Sequence, residues 1–125
     1  MGDPIRRAAT PLAQNAAGNL PAGIYYVAAA WINRAGEEGE CGTPAVISTS
    51  NNTFTARLSG GAANAAGWNV YAGPDAETKT LQNPQPIAAG AVWTQPNALT
   101  TTGRPAGTGQ APNWTFATAR MLRRG

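Results

Sequence analysis

Between Gly23 and Asn33 an extended chain puts Tyr25, Val27, Ala29 and Trp31 on one face and Ile24, Tyr26, Ala28, Ala30 and Ile32 on the other. Both faces are apolar enough to make this a central strand covered on at least one side. The run of alanines at 28–30 suits a helix by propensity. Ile-Tyr-Tyr-Val before it, Trp-Ile after it and turn signals at both ends select a strand instead. Arg34-Ala35-Gly36-Glu37 makes the next turn.

Shorter alternations succeed it. Thr43 to Ser48 sets Ala45 and Ile47 against Val46, and Thr53 to Leu58 sets Phe54, Ala56 and Leu58 against Thr53, Thr55 and Arg57. The second pattern fits a strand buried on one face and wet on the other. Trp68 to Ala72 opposes Trp68, Val70 and Ala72 to Asn69 and Tyr71. Thr78 to Gln82 is short and polar, as suits an edge. Gly90 to Thr94 puts Ala91 and Trp93 opposite Val92. The expected fold is all-β, a small antiparallel β-sandwich over residues 20–95.

The ends break this pattern. Residues 1–19 contain two prolines and no sustained period, so they read as an extended arm; a helical turn near Ala13–Ala17 would be too short to persist alone. Residues 96–125 read as a second arm, rich in Pro and Gly as far as Asn113, with a possible terminal strand where Trp114 and Phe116 flank Thr115. Those two aromatics would expose much apolar area in an isolated tail. They either fold back on the sandwich or anchor in another chain.

Composition sharpens the picture. With 125 residues there is room for one domain. The chain has 15 glycines and 10 prolines, about a fifth of its residues, which suits short strands joined by many turns. The net charge is +3, and Arg6, Arg7, Arg120, Arg123 and Arg124 gather near the ends. Such ends dock on nucleic acid or on an acidic protein surface, or merely stay solvated. Cys41 is the sole cysteine, so no intrachain disulfide forms; it reads as a small buried or half-buried residue. Met1 without an apolar leader before Leu20 points to synthesis in a reducing cytoplasm, and no segment is apolar over enough residues to span a membrane as a helix.

Candidate chemistry is sparse. Without histidine there is no Ser–His or Cys–His pair and no Cys/His zinc site. Glu37, Glu38 and Glu40 cluster in an expected turn, where solvated charge is the favoured reading; the loop lacks an EF-hand pattern. Gly60-Gly61 lacks the Lys-Ser/Thr ending of a phosphate loop. No catalytic residue, metal ligand or cofactor is expected. Tyr25, Tyr26, Trp31, Trp68, Tyr71 and Trp93 form either a stacking surface for sugars or bases, or the core of a chain short of other large residues; core is favoured.

Leu20-Pro21-Ala22-Gly23-Ile24-Tyr25-Tyr26-Val27, with Ile32-Asn33-Arg34-Ala35-Gly36-Glu37 after it, resembles the late strand and Asn-x-x-Gly-Glu turn of fibronectin type III-like domains. The likeness is to those of bacteriophage virion proteins and bacterial surface proteins. Trp68-Asn69-Val70-Tyr71-Ala72-Gly73 resembles their aromatic-x-Val-Tyr strand, here in reversed order along the chain. The resemblance implies a non-enzymatic structural subunit of a bacteriophage particle: a head-decoration, collar or tail-associated protein, located in the virion. Its partners would be other virion proteins and copies of itself. Assembly would use the arms, through Ile5, Arg6, Arg7, Leu12, Trp114, Phe116, Arg120, Met121, Leu122, Arg123 and Arg124. The alternative is a carbohydrate- or cell-surface-binding module with Trp68 or Tyr71 exposed. Binding to packaged nucleic acid is the weakest reading, because the middle of the chain carries no basic stripe.

Overall fold

A computed structural model describes residues 7–61 and 65–106. Its strands are β1 (Leu12–Ala16), β2 (Gly23–Asn33), β3 (Ala45–Thr49), β4 (Thr53–Arg57), β5 (Ala65–Gly73), β6 (Thr80–Leu81), β7 (Ile87–Ala88) and β8 (Val92–Thr94). They form two antiparallel sheets, one ordered β1-β4-β8 and one ordered β3-β2-β5-β6, with β7 also pairing β5. The fold is all-β, and no helix occurs among the described residues.

Side-chain alternation builds the core between the sheets. Tyr25, Val27, Ala29 and Trp31 of β2 and Trp68, Val70 and Ala72 of β5 point inward from the larger sheet. Phe54 and Ala56 of β4, with Leu58 just beyond it, point inward from the smaller one. The Tyr25 and Phe54 rings meet across the gap with centroids 6.2 Å apart. Trp31 lies directly opposite Trp68 in the β2–β5 register.

Leu12–Ala16 falls in the stretch expected as an arm, yet it is an outer strand of the smaller sheet, with Ala13 opposite Ala56 and Gln14 opposite Thr55. No helical turn forms there, because pairing to β4 satisfies backbone groups that five isolated residues would leave to water. The Asn15 side-chain amide also donates to the Ser48 carbonyl at 2.8 Å, tying β1 to β3 of the other sheet. Farther back, the Ala8 amide donates to the Glu40 carbonyl at 3.2 Å.

That approach depends on Gly42. A Cβ placed there would lie 2.0 Å from the Ala8 carbonyl oxygen, with backbone on the far side rather than a flexible side chain. Gly42→Ala should therefore cost about 1–3 kcal/mol by displacing residues 7–9. Urea unfolding would register it as a lower midpoint at unchanged slope, whereas an unchanged midpoint would deny the contact.

Candidate functional site

The polar residues of this fold converge on the outer face of the larger sheet, and the turn after β2 sets up the convergence. The Asn33 side-chain oxygen accepts from the Ala35 and Glu37 amides at 2.9 and 3.0 Å, while its NH2 donates to Glu37 Oε1 at 2.8 Å. Gly36 sits at φ +85°, a conformation glycine adopts without strain. The turn delivers Glu38 directly opposite Ile32 in an antiparallel bridge. Glu38 therefore shares a face with Ile32, Ala30 and Ala28.

The alanines clear a path across that face. Ala30 lies opposite Asn69 and Ala28 opposite Tyr71. With only methyl groups on β2, the Glu38 side chain reaches over that strand to β5. Its Oε2 accepts from the Tyr71 hydroxyl at 2.6 Å and from the Asn69 amide at 2.9 Å. Asn69 Oδ1 in turn accepts from the Asn83 amide at 2.8 Å, and Asn83 Oδ1 accepts from the Val70 backbone N–H at 2.8 Å.

Arg104 arrives from the opposite side of the sheet. The Leu81 amide donates to the Arg104 carbonyl and the Ala106 amide to the Lys79 carbonyl, both at 2.9 Å, so this segment lies as a further edge beside β6. Gly103 permits the approach, since a Cβ there would stand 2.4 Å from the Leu81 carbonyl oxygen. Arg104 Nη2 then donates to Glu38 Oε1 at 2.7 Å. The ion pair is asymmetric: the Glu38 side chain is 4% exposed and that of Arg104 39%.

A second network joins the sheets. Gln82 Oε1 accepts from the Gln95 side-chain amide and from the Thr100 backbone N–H, both at 2.9 Å. Gln95 Oε1 accepts from the Trp93 indole at 3.1 Å, and the Thr53 hydroxyl donates to the Gln95 carbonyl at 2.9 Å. Residues 96–106, read from sequence as the start of an arm, are thus bonded to the body through Thr100 and Arg104.

Donors therefore occupy both oxygens of Glu38 and fix the side chain in place. Tyr71 is held protonated well above its ordinary range, first by burial and then by its hydrogen bond to Glu38. Burial, reinforced by the charge of Glu38, pushes the Cys41 thiol up to about 11, the opposite of what activates a nucleophilic cysteine. The arrangement locks the two segments that cross the sheet face onto it. Among the described residues no group of three His, Cys, Asp or Glu side chains is placed to hold a metal ion. No helix among them is long and apolar enough to cross a membrane.

The residues named from sequence are scattered relative to this cluster. Arg7 is exposed, donating to the Cys41 carbonyl at 3.3 Å and facing Glu40 at 4.0 Å; a pair so open to water contributes little stability. Leu12 lies on the outer face of the smaller sheet, 56% exposed. Ile5, Arg6, Trp114, Phe116, Arg120, Met121, Leu122, Arg123 and Arg124 lie outside the described residues.

The acidic cluster is corrected in one respect. Glu37 and Glu40 are solvated as expected, but Glu38 is buried, because the bridge to Ile32 turns it onto the sheet face. Trp68 and Tyr71 are both fully buried, so neither offers the exposed ring that the carbohydrate-binding alternative expects of them. Sequence reasoning misses Asn69, Asn83, Gln82, Gln95 and Arg104. The usable signals are an alanine run inside a strand and an asparagine at a strand centre. Comparison with known proteins finds no matching family model, no matching curated protein and no matching solved structure.

Proposed function

We propose that this chain is a non-enzymatic structural subunit of a bacteriophage particle, in a head-decoration, collar or tail-associated position, built on a fibronectin type III-like sandwich. The observation that carries the reading is how the side chains are used. The buried polar side chains are engaged in ties that hold the body together, while large apolar side chains stand on its outer faces. Ile24 is 54% exposed, Val46 60%, Leu12 56% and Val92 44%. Rigid strands presenting apolar groups outward suit contact with other proteins. The sequence beyond residue 106 adds Trp114, Phe116, Met121 and Leu122, with Arg120, Arg123 and Arg124 among them. On this reading the terminal segments bury those side chains on other virion proteins and on copies of the same chain.

The test is a full-length chain carrying Trp114→Ser and Phe116→Ser, with its abundance in purified particles measured by mass spectrometry. Buried interface aromatics contribute roughly 1–3 kcal/mol each. Incorporation should therefore fall at least about tenfold while the soluble protein keeps its β-sheet circular dichroism. Normal incorporation of the variant would remove the terminal segment from the assembly contacts.

A further inference from the structure

We propose that copies of this protein contact one another head to tail, the acidic tip between β5 and β6 of one copy seating on the outer face of the smaller sheet of the next. The acceptor is a row that the register defines. Arg57 lies opposite Leu12 on one side and opposite Val92 on the other, so the three side chains stand on one face in a line across the three strands. Adjacent strands are about 4.8 Å apart, which puts the cation between two exposed apolar groups. Arg57 is exposed, and neither of the two ion pairs among the described residues includes it. The neighbouring row, Gln14, Thr55 and Thr94, is polar and uncharged. This face fits a carboxylate flanked by small apolar groups.

Charge decides between the possible occupants. Stacking two such faces about a two-fold axis would set Arg57 against its own copy, which like-charge repulsion opposes. The chain's own C-terminal segment is a poor occupant, because no Asp or Glu follows Glu77 and Arg120, Arg123 and Arg124 give it the same charge as the row. Among the described carboxylates, Glu38 is held by Arg104, Glu40 faces Arg7 and Glu37 is bonded to Asn33. Asp75 and Glu77 remain: both are exposed, and neither takes part in an ion pair among the described residues.

The tip is also ordered. Asp75 Oδ1 accepts from the Glu77 backbone N–H at 3.0 Å, and the Lys79 ammonium donates to the Ala76 carbonyl. Pro74 and Ala76 beside the carboxylates supply the small apolar surface that Leu12 and Val92 call for. Made head to tail, with only one tip–row contact between any two copies, the contact is heterologous and propagates into a ring or a filament. The inference rests on the part of the proposed function in which copies of the chain meet, and it does not involve the terminal segments.

Sedimentation velocity on the full-length chain tests it. The wild type should associate with rising concentration at low ionic strength and dissociate in high salt. Arg57→Glu alone should weaken association at least about tenfold, and so should Asp75→Arg with Glu77→Arg. An equimolar mixture of these two variants should associate again, because each row then meets a tip of opposite charge. A monomeric wild type, an Arg57→Glu variant that associates normally, or a mixture that stays monomeric would each overturn the proposal. The Trp114→Ser, Phe116→Ser chain separates the two ideas: it should keep this association even where particle incorporation is lost.

Discussion

Trp68→Ala should remove a large share of the folding stability and lower the urea midpoint more than any other single core truncation. Trp68 is completely buried, lies opposite Trp31 in the β2–β5 register and packs in the cluster that joins both sheets. Truncating a buried tryptophan costs about 3–5 kcal/mol, and a domain of this size has about 5–15 kcal/mol in total. The loss is amplified by the shortage of other large side chains: the whole chain has only four Trp, three Tyr and two Phe. Trp68→Phe should cost clearly less than Trp68→Ala. The Trp68 indole N–H has no hydrogen-bond partner among the described residues, so the Phe variant gives up packing volume without breaking a bond. Urea unfolding of the three proteins, followed by far-ultraviolet circular dichroism, would establish the order. An alanine variant with a near-wild-type midpoint would mean that the core is centred elsewhere.

The alternation of side chains makes the main strands legible without any coordinates. β2 runs from Gly23 to Asn33 as its pattern indicates, with Tyr25, Val27, Ala29 and Trp31 on the core side. Phe54 and Ala56 on β4, and Trp68, Val70 and Ala72 on β5, also face inward as their period of two requires. β1 is not legible, because Leu-Ala-Gln-Asn-Ala carries one large apolar residue and that residue points to solvent. Such a strand exists through its backbone pairing to β4, a non-local contact that no local pattern encodes. β7 escapes for a related reason: Ile87 and Ala88 are two residues between Pro86 and Gly90, too few to show a period. Sheet order is equally silent in sequence, since β4 pairs β1 and β8, neither of them its neighbour along the chain.

The polar cluster shows a different limit. Glu37-Glu38-Gly39-Glu40 has the composition of a solvated turn, and its three carboxylates would be interchangeable without the bridge that sets Glu38 opposite Ile32. The apolar second face of β2 implies cover on at least one side. The cover on the outer side comes in part from a carboxylate crossing above alanines, with Arg104 reaching in from the far edge. Arg104 sits 66 positions from Glu38 in a stretch of Thr, Gly and Pro, so nothing in its neighbourhood marks it.

The same cluster makes the second large prediction. Glu38→Ala removes the acceptor shared by Tyr71, Asn69 and Arg104, two of which are buried and would be left without that partner. Each buried donor left without its acceptor costs about 1–3 kcal/mol, and the partly solvated Arg104 adds little to that. Arg104→Ala should cost less, because the guanidinium is partly in water and Glu38 keeps its bonds to Tyr71 and Asn69. The alkaline limb provides an independent reading. Both Tyr71 and Cys41 have raised proton affinity in the folded chain, Cys41 from 9.0 to about 11 and Tyr71 above its ordinary 10.0. The folded state thus keeps protons that the unfolded chain releases, so unfolding is coupled to proton loss once the pH passes 9.0. The stability these groups contribute is complete below that point and declines as the pH rises through their folded values. Thermal midpoints recorded from neutral pH upward should bend down there in the wild type. They should bend somewhat less in Glu38→Ala, where burial still raises both groups but the added push of the carboxylate is gone. Parallel curves for the two proteins would show that Glu38 does not act on Tyr71 and Cys41, and the lock across the sheet face would then have to be held by other groups.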